Sequence, residues 1–226
     1  MSEDAEVINA LAAVFDLEGF TSFCGQPDPQ LVIPEFLDNF CNWLFSAIRD
    51  VFTKKKTKKE IHLWASLPFF AKFMGDGVMF LWNTDRIRLP IIGNVVVNLN
   101  KICKLYVEQF QAQVDHSYSR IPHRLRVGIA RGQVFSVGKG RDYVGPCINI
   151  ASRLQKIGSL GFAISRRGFD PQRAFHKITK KASVVVKTSL RGVGEDETII
   201  VLKEEFDALG SEEKKLFSRS ELPRRS

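Results

Sequence analysis

The sequence predicts a single α+β domain in which helices pack on one side of an antiparallel-centred sheet. Short runs rich in β-branched and aromatic residues alternate with two long segments whose apolar residues recur at helical spacing. Glycine-bearing turns join several of the short runs directly, which favours antiparallel neighbours over parallel crossovers. With 226 residues, 44% of them hydrophobic and 26% charged, the chain is long enough for one core. We therefore interpret residues 1–226 as one domain with a charged tail over 211–226.

The first predicted elements are a strand and a helix. Residues 7–15 form an apolar, β-branched run, and the glycines and P-D-P turn signal of 17–30 predict a loop after it. Apolar side chains then recur at helical spacing over 31–52, which predicts a helix. The run K-K-K-T-K-K at 54–59 predicts an exposed basic loop.

The middle of the chain predicts a hairpin and a second helix. Two aromatic-rich runs, 62–72 and 78–82, flank the turn M-G-D-G, whose D-G pair is a strong hairpin signal and places Asp76 at the tip. Residues 91–110 show helical spacing, although their V-V-V run is β-branched and therefore less favourable in a helix.

The last part of the chain predicts a second hairpin, a third helix and two late strands. Runs at 124–130 and 133–137 flank R-G-Q, and helical spacing over 147–157 follows a Gly-Pro pair that suits a helix start. Strands at 183–190 and 198–202 surround R-G-V-G, and the charged tail predicts a short final helix or a frayed end.

Charge and composition narrow the class of partner. A net charge of +8 and a pI near 9.4 favour an anionic partner. The lysine run lacks interleaved aromatic residues, so a solvated loop is favoured over nucleic-acid binding. The four cysteines and four histidines show no metal-ligand spacing. An acidic start and the lack of a long apolar run predict a cytoplasmic protein without membrane contact.

Two aspartates are predicted to meet at one end of the sheet. Asp16 follows the first strand and Asp76 lies at the hairpin tip, so strands lying side by side would bring both carboxylates together. A hard divalent cation with a nucleoside triphosphate prefers such carboxylate and phosphate oxygens. Gly19, Gly75 and Gly77 would leave backbone room beside the phosphates. Taken singly, each acid also suits an ordinary role, as a loop cap or a turn residue.

Four segments give a more specific indication. They are F-D-L-E-G-F-T-S-F, K-F-M-G-D-G-V-M-F, R-V-G-I-A-R-G-Q-V and D-Y-V-G-P-C-I-N-I-A-S-R-L, in this order. Over residues 7–205 the chain thereby resembles the class III nucleotidyl cyclases, the catalytic domain of adenylyl and guanylyl cyclases. The resemblance implies a ferredoxin-like palm and cyclisation of a nucleoside triphosphate to a 3′,5′-cyclic monophosphate and pyrophosphate. It also implies two divalent ions, Mn²⁺ or Mg²⁺, in each active site.

The resemblance also implies roles for individual residues. Asp16, Asp76 and the carbonyl of Leu17 would hold the metal ions. Asn149 would orient the ribose and Arg153 would stabilise charge on the α-phosphate; their spacing of four places both on one helix face. Glu18 matches an acid of the family's loop but receives no role. The expected phosphate contacts are Gly19, Phe20, Thr21, Arg126 and Arg191, the last standing where many members have a lysine.

Lys72 and Asp142 match the family's base contacts. A lysine donor beside a carboxylate acceptor suits adenine, cytosine and uracil alike, so the pair does not decide the base. Guanine, which usually meets a different pair in this family, ranks last. The bulky neighbours Phe73 and Tyr143 would narrow the pocket toward a single ring.

The family's sites are shared between two chains. Lys72 and Asp76 are four positions apart, yet in this family the base contact comes from one chain and the metal ligands from the other. The resemblance therefore implies a homodimer with two equivalent composite sites, which bind a nucleoside triphosphate and no nucleic acid.

The resemblance extends over nearly the whole chain, which carries G-D-G-V-M-F-L-W-N. In these respects it is similar to the small stand-alone pyrimidine cyclases of bacterial Pycsar anti-phage systems, which implies conversion of UTP to cyclic UMP as an antiviral signal. Cytidylate or adenylate cyclase activity stays open, as does a degenerate cyclase domain that only dimerises or binds. A diguanylate cyclase is disfavoured because its G-G-D/E-E-F hairpin is missing.

Overall fold

A nine-stranded mixed sheet forms the centre of the computed structural model, which describes residues 6–52, 67–114, 118 and 120–219. In chain order its strands are β1 (Val7–Glu18), β2 (Phe70–Phe73), β3 (Gly77–Asn83), β4 (Arg124–Val137), β5 (Asp142–Val144), β6 (Phe162–Ser165), β7 (Ser183–Leu190), β8 (Gly194–Leu202) and β9 (Phe217–Arg219). They lie in the order β2-β3-β1-β4-β6-β8-β7-β9, and β5 pairs with β4. Only the pairing of β4 with β6 is parallel among these strands, so the predicted antiparallel-centred α+β fold is confirmed.

The helices confirm the three long predicted segments and add several short ones. They are α1 (Phe20–Cys24), α2 (Pro29–Phe52), α3 (Leu89–Leu105), α4 (Ala112–Val114), α5 (Pro146–Leu154), α6 (Pro171–Ala174), α7 (Lys177–Lys181), α8 (Lys203–Ala208) and α9 (Ser211–Lys214). A π-helical turn, Tyr106–Gln111, joins α3 to α4. None of the helices in the described ranges combines the length and hydropathy that a membrane span requires.

The expectation that helices cover one side of the sheet is wrong. Side chains of β1 alternate between two cores: Leu11 and Phe15 pack with α2 and α3, whereas Ala12 and Val14 pack with α5. Because successive strand residues point to opposite faces, these cores lie on opposite sides of the sheet. The central strand is therefore buried on both faces, which explains its nearly continuous apolar sequence.

The predicted hairpin around R-G-Q is also wrong. Strand β4 continues through it, with Arg131 opposite Leu11 and Gly132 opposite Ala10 of β1. A glycine inside a strand gives the same local signal as a glycine in a turn. Here the backbone pairs with the long strand β1 on both sides of the glycine, so β4 continues as a strand. The hairpin predicted at M-G-D-G is present, and Gly75 adopts a left-handed φ of 93° there.

Some predictions need adjustment at their boundaries. The predicted loop 17–30 contains the end of β1 and the short helix α1, since Gly19 turns the chain with φ 93°. Strand β2 begins at Phe70, later than predicted, and residues 62–66 lie outside the described part. The lysine run at 54–59 and the last residues of the tail also lie outside it. The short strands β5, β6 and β9 were not predicted. In the tail, the predicted short helix is present as α9, but β9 follows it and pairs with β7.

Candidate active site

The end of β1 and the β2–β3 turn bring the two predicted metal aspartates together. Asp16 lies opposite Gly77 of β3, and the backbone N–H of Leu17 donates to the carbonyl of Asp76 at 3.0 Å. A side chain on Gly77 would place its Cβ 1.8 Å from the carbonyl oxygen of Phe15. Only glycine therefore lets the turn approach β1 this closely.

Both aspartates line one cavity of about 470 Å³. Its walls carry five of the predicted site residues, namely Asp16, Asp76, Asn149, Arg153 and Arg191. The remaining lining residues are Val14, Phe15, Met74, Ser152, Gln155, Lys156, Gly192 and Val193. Residues from four parts of the sequence thus face one space in which acids and cations oppose each other.

Helix α5 carries Asn149 and Arg153 to this cavity. Its apolar residues face the sheet, whereas both polar side chains are exposed on the cavity side. The helix packs very closely on β4, because a Cβ on Gly128 would lie 2.1 Å from the carbonyl oxygen of Ala151. The glycine of the R-V-G segment therefore sets the distance between this helix and the sheet.

Asp16 is nearly fully buried, with 3% of its side chain exposed. Arg126 Nη2 donates to Asp16 Oδ2 at 2.6 Å, while Oδ1 accepts no hydrogen bond from the residues that the structure describes. Burial raises the pKa of Asp16 above its ordinary 3.8, and the hydrogen bond and charge of Arg126 oppose that rise. Asp16 lines the cavity and thus keeps one buried carboxylate oxygen with its bonding capacity unused.

Lys156 is a site residue that the sequence prediction missed. Its Nζ lies 3.6 Å from Asp16 Oδ1 and 3.8 Å from Asp76 Oδ2. A signal was present, because Asn149, Arg153 and Lys156 follow the spacing i, i+4 and i+7 of one helix face. The helix ends just before Lys156, so the ammonium reaches the acids from the first turn beyond it.

Glu18, which had no predicted role, contacts two arginines of β4. Its Oε2 lies 2.6 Å from Arg124 Nη2, and its Oε1 lies 3.5 Å from Arg126 Nη1. His123 Nε2 approaches the same carboxylate at 3.4 Å. Glu18 is not among the residues that line the cavity, and it contacts Arg126 through Nη1 while Nη2 donates to Asp16.

The other predicted phosphate contacts occupy two turns. Arg191 lies in the turn between β7 and β8 and lines the cavity beside Gly192, whose φ is 75°. Gly19 precedes α1, and Phe20 and Thr21 form its first residues. These three residues follow Asp16 directly in sequence but are not part of the cavity lining, nor is Arg126, which reaches the cavity only through Asp16.

Lys72 and Asp142, the predicted base contacts, form an ion pair with each other. Lys72 Nζ donates to Asp142 Oδ2, which joins β2 to β5 across the surface. This hydrogen bond lowers the pKa of Asp142 below 3.8, and the backbone N–H of Tyr143 adds to the effect. Neither residue lines the cavity that contains Asp16 and Asp76, so the two predicted base contacts lie apart from the acids of the same chain.

The residues present fit a hard divalent cation. Asp16 Oδ1 is a buried oxygen with an open bonding position, Asp76 faces the same space, and the Lys156 ammonium between them already stands where positive charge is favoured. In the described ranges no three His, Cys, Asp or Glu side chains gather at a metal position. The donor set therefore suits a cation whose remaining ligands come from substrate oxygens and water.

Comparisons with known proteins identify the fold. No protein-family model matches the sequence, and no curated protein matches it. The solved guanylyl cyclase Cya2 superposes with a TM-score of 0.64 at 17% identity, covering 88% of this chain and 94% of that one. The adenylyl cyclase CyaB from P. aeruginosa superposes with a TM-score of 0.63 at 16% identity, covering 92% of this chain and 100% of that one. The catalytic core of a rhodopsin-guanylyl cyclase with converted specificity, solved in complex with ATPαS, superposes with a TM-score of 0.59 at 17% identity. The match covers 88% of this chain and 98% of that one. The predicted class III cyclase fold is thus confirmed.

Proposed function

We propose that this protein is a nucleotidyl cyclase that converts a nucleoside triphosphate to a 3′,5′-cyclic monophosphate and pyrophosphate. The observation that carries the proposal is the single cavity in which Asp16 and Asp76 face Asn149, Arg153 and Arg191. The acids can hold a metal ion, and the cations can bind a triphosphate. On a cyclase fold this combination suits phosphoryl transfer, which depends mainly on positioning and charge stabilisation.

The proposed reaction needs no nucleophilic side chain. The ribose 3′-oxygen bonds to the α-phosphorus, the bond from that phosphorus to its bridging oxygen breaks, and pyrophosphate leaves with the electron pair. The hydroxyl proton is released to solvent. Two divalent ions, Mn²⁺ or Mg²⁺, would be held by Asp16, Asp76 and the carbonyl of Leu17, and they would neutralise phosphate charge when bound.

The chain's own polar residues then position and stabilise the substrate. Asn149 orients the ribose, and Arg153 offers a bidentate guanidinium to the charge that develops on the α-phosphate. Arg191 contacts the phosphates from the facing turn. Arg126, held between Asp16 and Glu18, supplies positive charge to the polyphosphate. Gly19, Phe20 and Thr21 turn the backbone beside the phosphates at the end of β1.

We propose a homodimer with two composite sites. Lys72 and Asp142 lie outside the cavity that holds the acids of the same chain, so the base contact would come from the partner subunit. Exposed apolar side chains near this pair, Phe73, Met74 and Val144, supply surface for an isologous contact. A monomer would then be inactive because neither of its half-sites is complete.

The proposed substrate is UTP, and the proposed product is cyclic UMP acting as an antiviral signal in the cytoplasm. Lys72 and Asp142 can meet uracil through O4 and N3. The ring of Tyr143 packs edge-on against Phe70, with centroids 5.0 Å apart, so a bulky aromatic side chain adjoins Asp142 and would favour a single-ring base. The same contacts suit cytosine and adenine, so cytidylate and adenylate cyclase activities are the alternatives.

A substrate screen tests this function. Purified protein is incubated with each of the four nucleoside triphosphates and Mn²⁺, and the cyclic product is identified by mass spectrometry. Formation of cyclic UMP above the others is expected, and a clear preference for ATP would overturn the pyrimidine assignment. Nucleotide binding without any cyclic product would favour the degenerate binding domain instead.

The metal assignment needs a separate comparison. Asp16→Ala and Asp76→Ala should each abolish product while the dimer persists in analytical ultracentrifugation. Asp196→Ala, which removes an exposed carboxylate from β8, is the matched control and should retain activity. Product formation that survives both site substitutions would refute the metal assignment.

A further inference from the structure

Lys156 occupies the space between the two proposed metal ligands. Its ammonium lies 3.6 Å from Asp16 Oδ1 and 3.8 Å from Asp76 Oδ2. The other oxygen of Asp16 accepts the short hydrogen bond from Arg126. Lys156 therefore lies near the oxygen that Arg126 leaves open, and it approaches both acids at once.

The geometry of Lys156 indicates a cation that can leave the two acids, rather than a partner in a fixed ion pair. Both distances exceed hydrogen-bonding range, so the attraction is mainly Coulombic. The Lys156 side chain is 57% exposed, whereas Asp16 is 3% exposed. A long, flexible lysine with its head near water can leave at little cost. Asp16 and Asp76 together carry two negative charges and Arg126 balances only one, so the pair still favours a further positive charge.

We propose that Lys156 is a resident counter-cation, which neutralises the paired aspartates until a divalent ion displaces it. This inference rests on the proposed function, which assigns both aspartates to metal. A divalent ion and the ammonium require the same oxygen, Asp16 Oδ1, and repel each other. Metal binding must therefore break both Lys156 contacts, which makes the measured metal affinity weaker than the two carboxylates alone would give.

Direct Mn²⁺ binding without nucleotide tests the inference. The free ion is measured by electron paramagnetic resonance for the full-length wild type, Lys156→Met, Lys156→Arg and Lys101→Met. Loss of the competing charge should lower the Kd of Lys156→Met about tenfold, given partial solvent screening of an exposed lysine. Lys156→Arg keeps the charge and should stay within about twofold of wild type. Lys101→Met removes an exposed lysine of α3 outside the cavity and should leave the Kd unchanged.

A thermal melt provides a second measurement that does not require activity. In EDTA, Lys156→Met should melt below wild type because Arg126 alone then balances the two negative charges of Asp16 and Asp76, and saturating Mn²⁺ should close that gap. A variant that is merely misfolded would melt low in both conditions and would bind no Mn²⁺ at all, in which case Lys156→Gln replaces it in both measurements.

The outcomes separate this inference from the function on which it rests. If wild type binds Mn²⁺ in a way that Asp16→Asn removes, and the neutral variants at position 156 bind equally well or more weakly, the counter-cation role is refuted and the metal site stands. If neither wild type nor any variant shows such Mn²⁺ binding, the metal assignment itself fails, and the role of Lys156 fails with it.

Discussion

Arg126 donates a hydrogen bond to Asp16 at 2.6 Å, although 110 positions separate the two residues in the sequence. They are direct neighbours in the pairing of β4 with β1, and their side chains are 14% and 3% exposed. An arginine for which the family resemblance implies a polyphosphate contact thus contacts a proposed metal ligand in the folded chain. Its contribution to stability and its proposed role in substrate binding would therefore be connected.

Removal of this arginine should destabilise the fold. In Arg126→Met, Asp16 keeps its burial but loses its strongest partner, and breaking a buried pair from one side costs about 3 kcal/mol. Urea unfolding in EDTA measures the loss. Asp16→Asn in the same chain should recover part of it, because no buried charge is then left alone. An Arg126→Met variant as stable as wild type would show that the pair contributes nothing.

Glu18 should act on substrate binding through Arg126. Glu18→Gln weakens the contacts to Arg124 and Arg126, so we expect the KM for the triphosphate to rise about threefold to tenfold with kcat within about twofold. Steady-state kinetics with pyrophosphate detection provides both constants. Glu108→Gln, at an exposed position of the π-helical turn, is the control and should change neither. A large fall in kcat would instead place Glu18 in the chemical step.

Arg153 should contribute to the rate rather than to substrate affinity. Its proposed interaction develops in the transition state, and loss of one such donor costs about 100-fold in kcat. Arg153→Ala should show this fall with little change in KM, whereas Arg173→Ala, an exposed arginine of α6, should retain activity. Equal kcat values for Arg153→Ala and wild type would remove Arg153 from the proposed mechanism.

Two glycines of the β2–β3 turn should differ sharply in their tolerance of alanine. At Gly77 a Cβ would lie 1.8 Å from backbone of β1, so Gly77→Ala should cost about 3 kcal/mol or more. At Gly75 nothing lies within 4 Å, and only its φ of 93° opposes a side chain, which costs about 1 kcal/mol. Denaturant midpoints of the two variants measure the difference, and the reverse order would contradict the close approach of turn and strand.

The Lys72–Asp142 pair should be visible in a pH titration. The hydrogen bond from Lys72 favours the ionised carboxylate, so the pKa of Asp142 lies below its ordinary 3.8. Since this pKa is depressed, the contribution of the pair is fully present above pH 3.8 and is lost as the pH falls through the lower, folded-state value. NMR titration of the carboxyl carbon should show this, and Lys72→Met should move the pKa upward. An unshifted pKa in wild type would contradict the pair.

The sequence predicted the parts of this site that depend on local signals. The D-G turn placed Asp76 at a hairpin tip, and the helical spacing of Asn149 and Arg153 placed them on one face. Strand β4 was misread because R-G-Q looks the same locally whether a chain turns or continues. Its real course depends on pairing with β1, which involves residues about 120 positions away.

The local sequence pattern alone predicted an α+β fold with two acids at one end of the sheet. Turns, strands and helix faces can be predicted in this way because they depend on residues that are close in the sequence. Tertiary structure alone decided which charges meet: Arg126 with Asp16, Glu18 with Arg124, Lys156 between the acids, and Lys72 with Asp142. Electrostatic partners depend on distances of a few ångströms between side chains from separate elements. Strand register and helix packing set those distances, and neither can be read from local spacing.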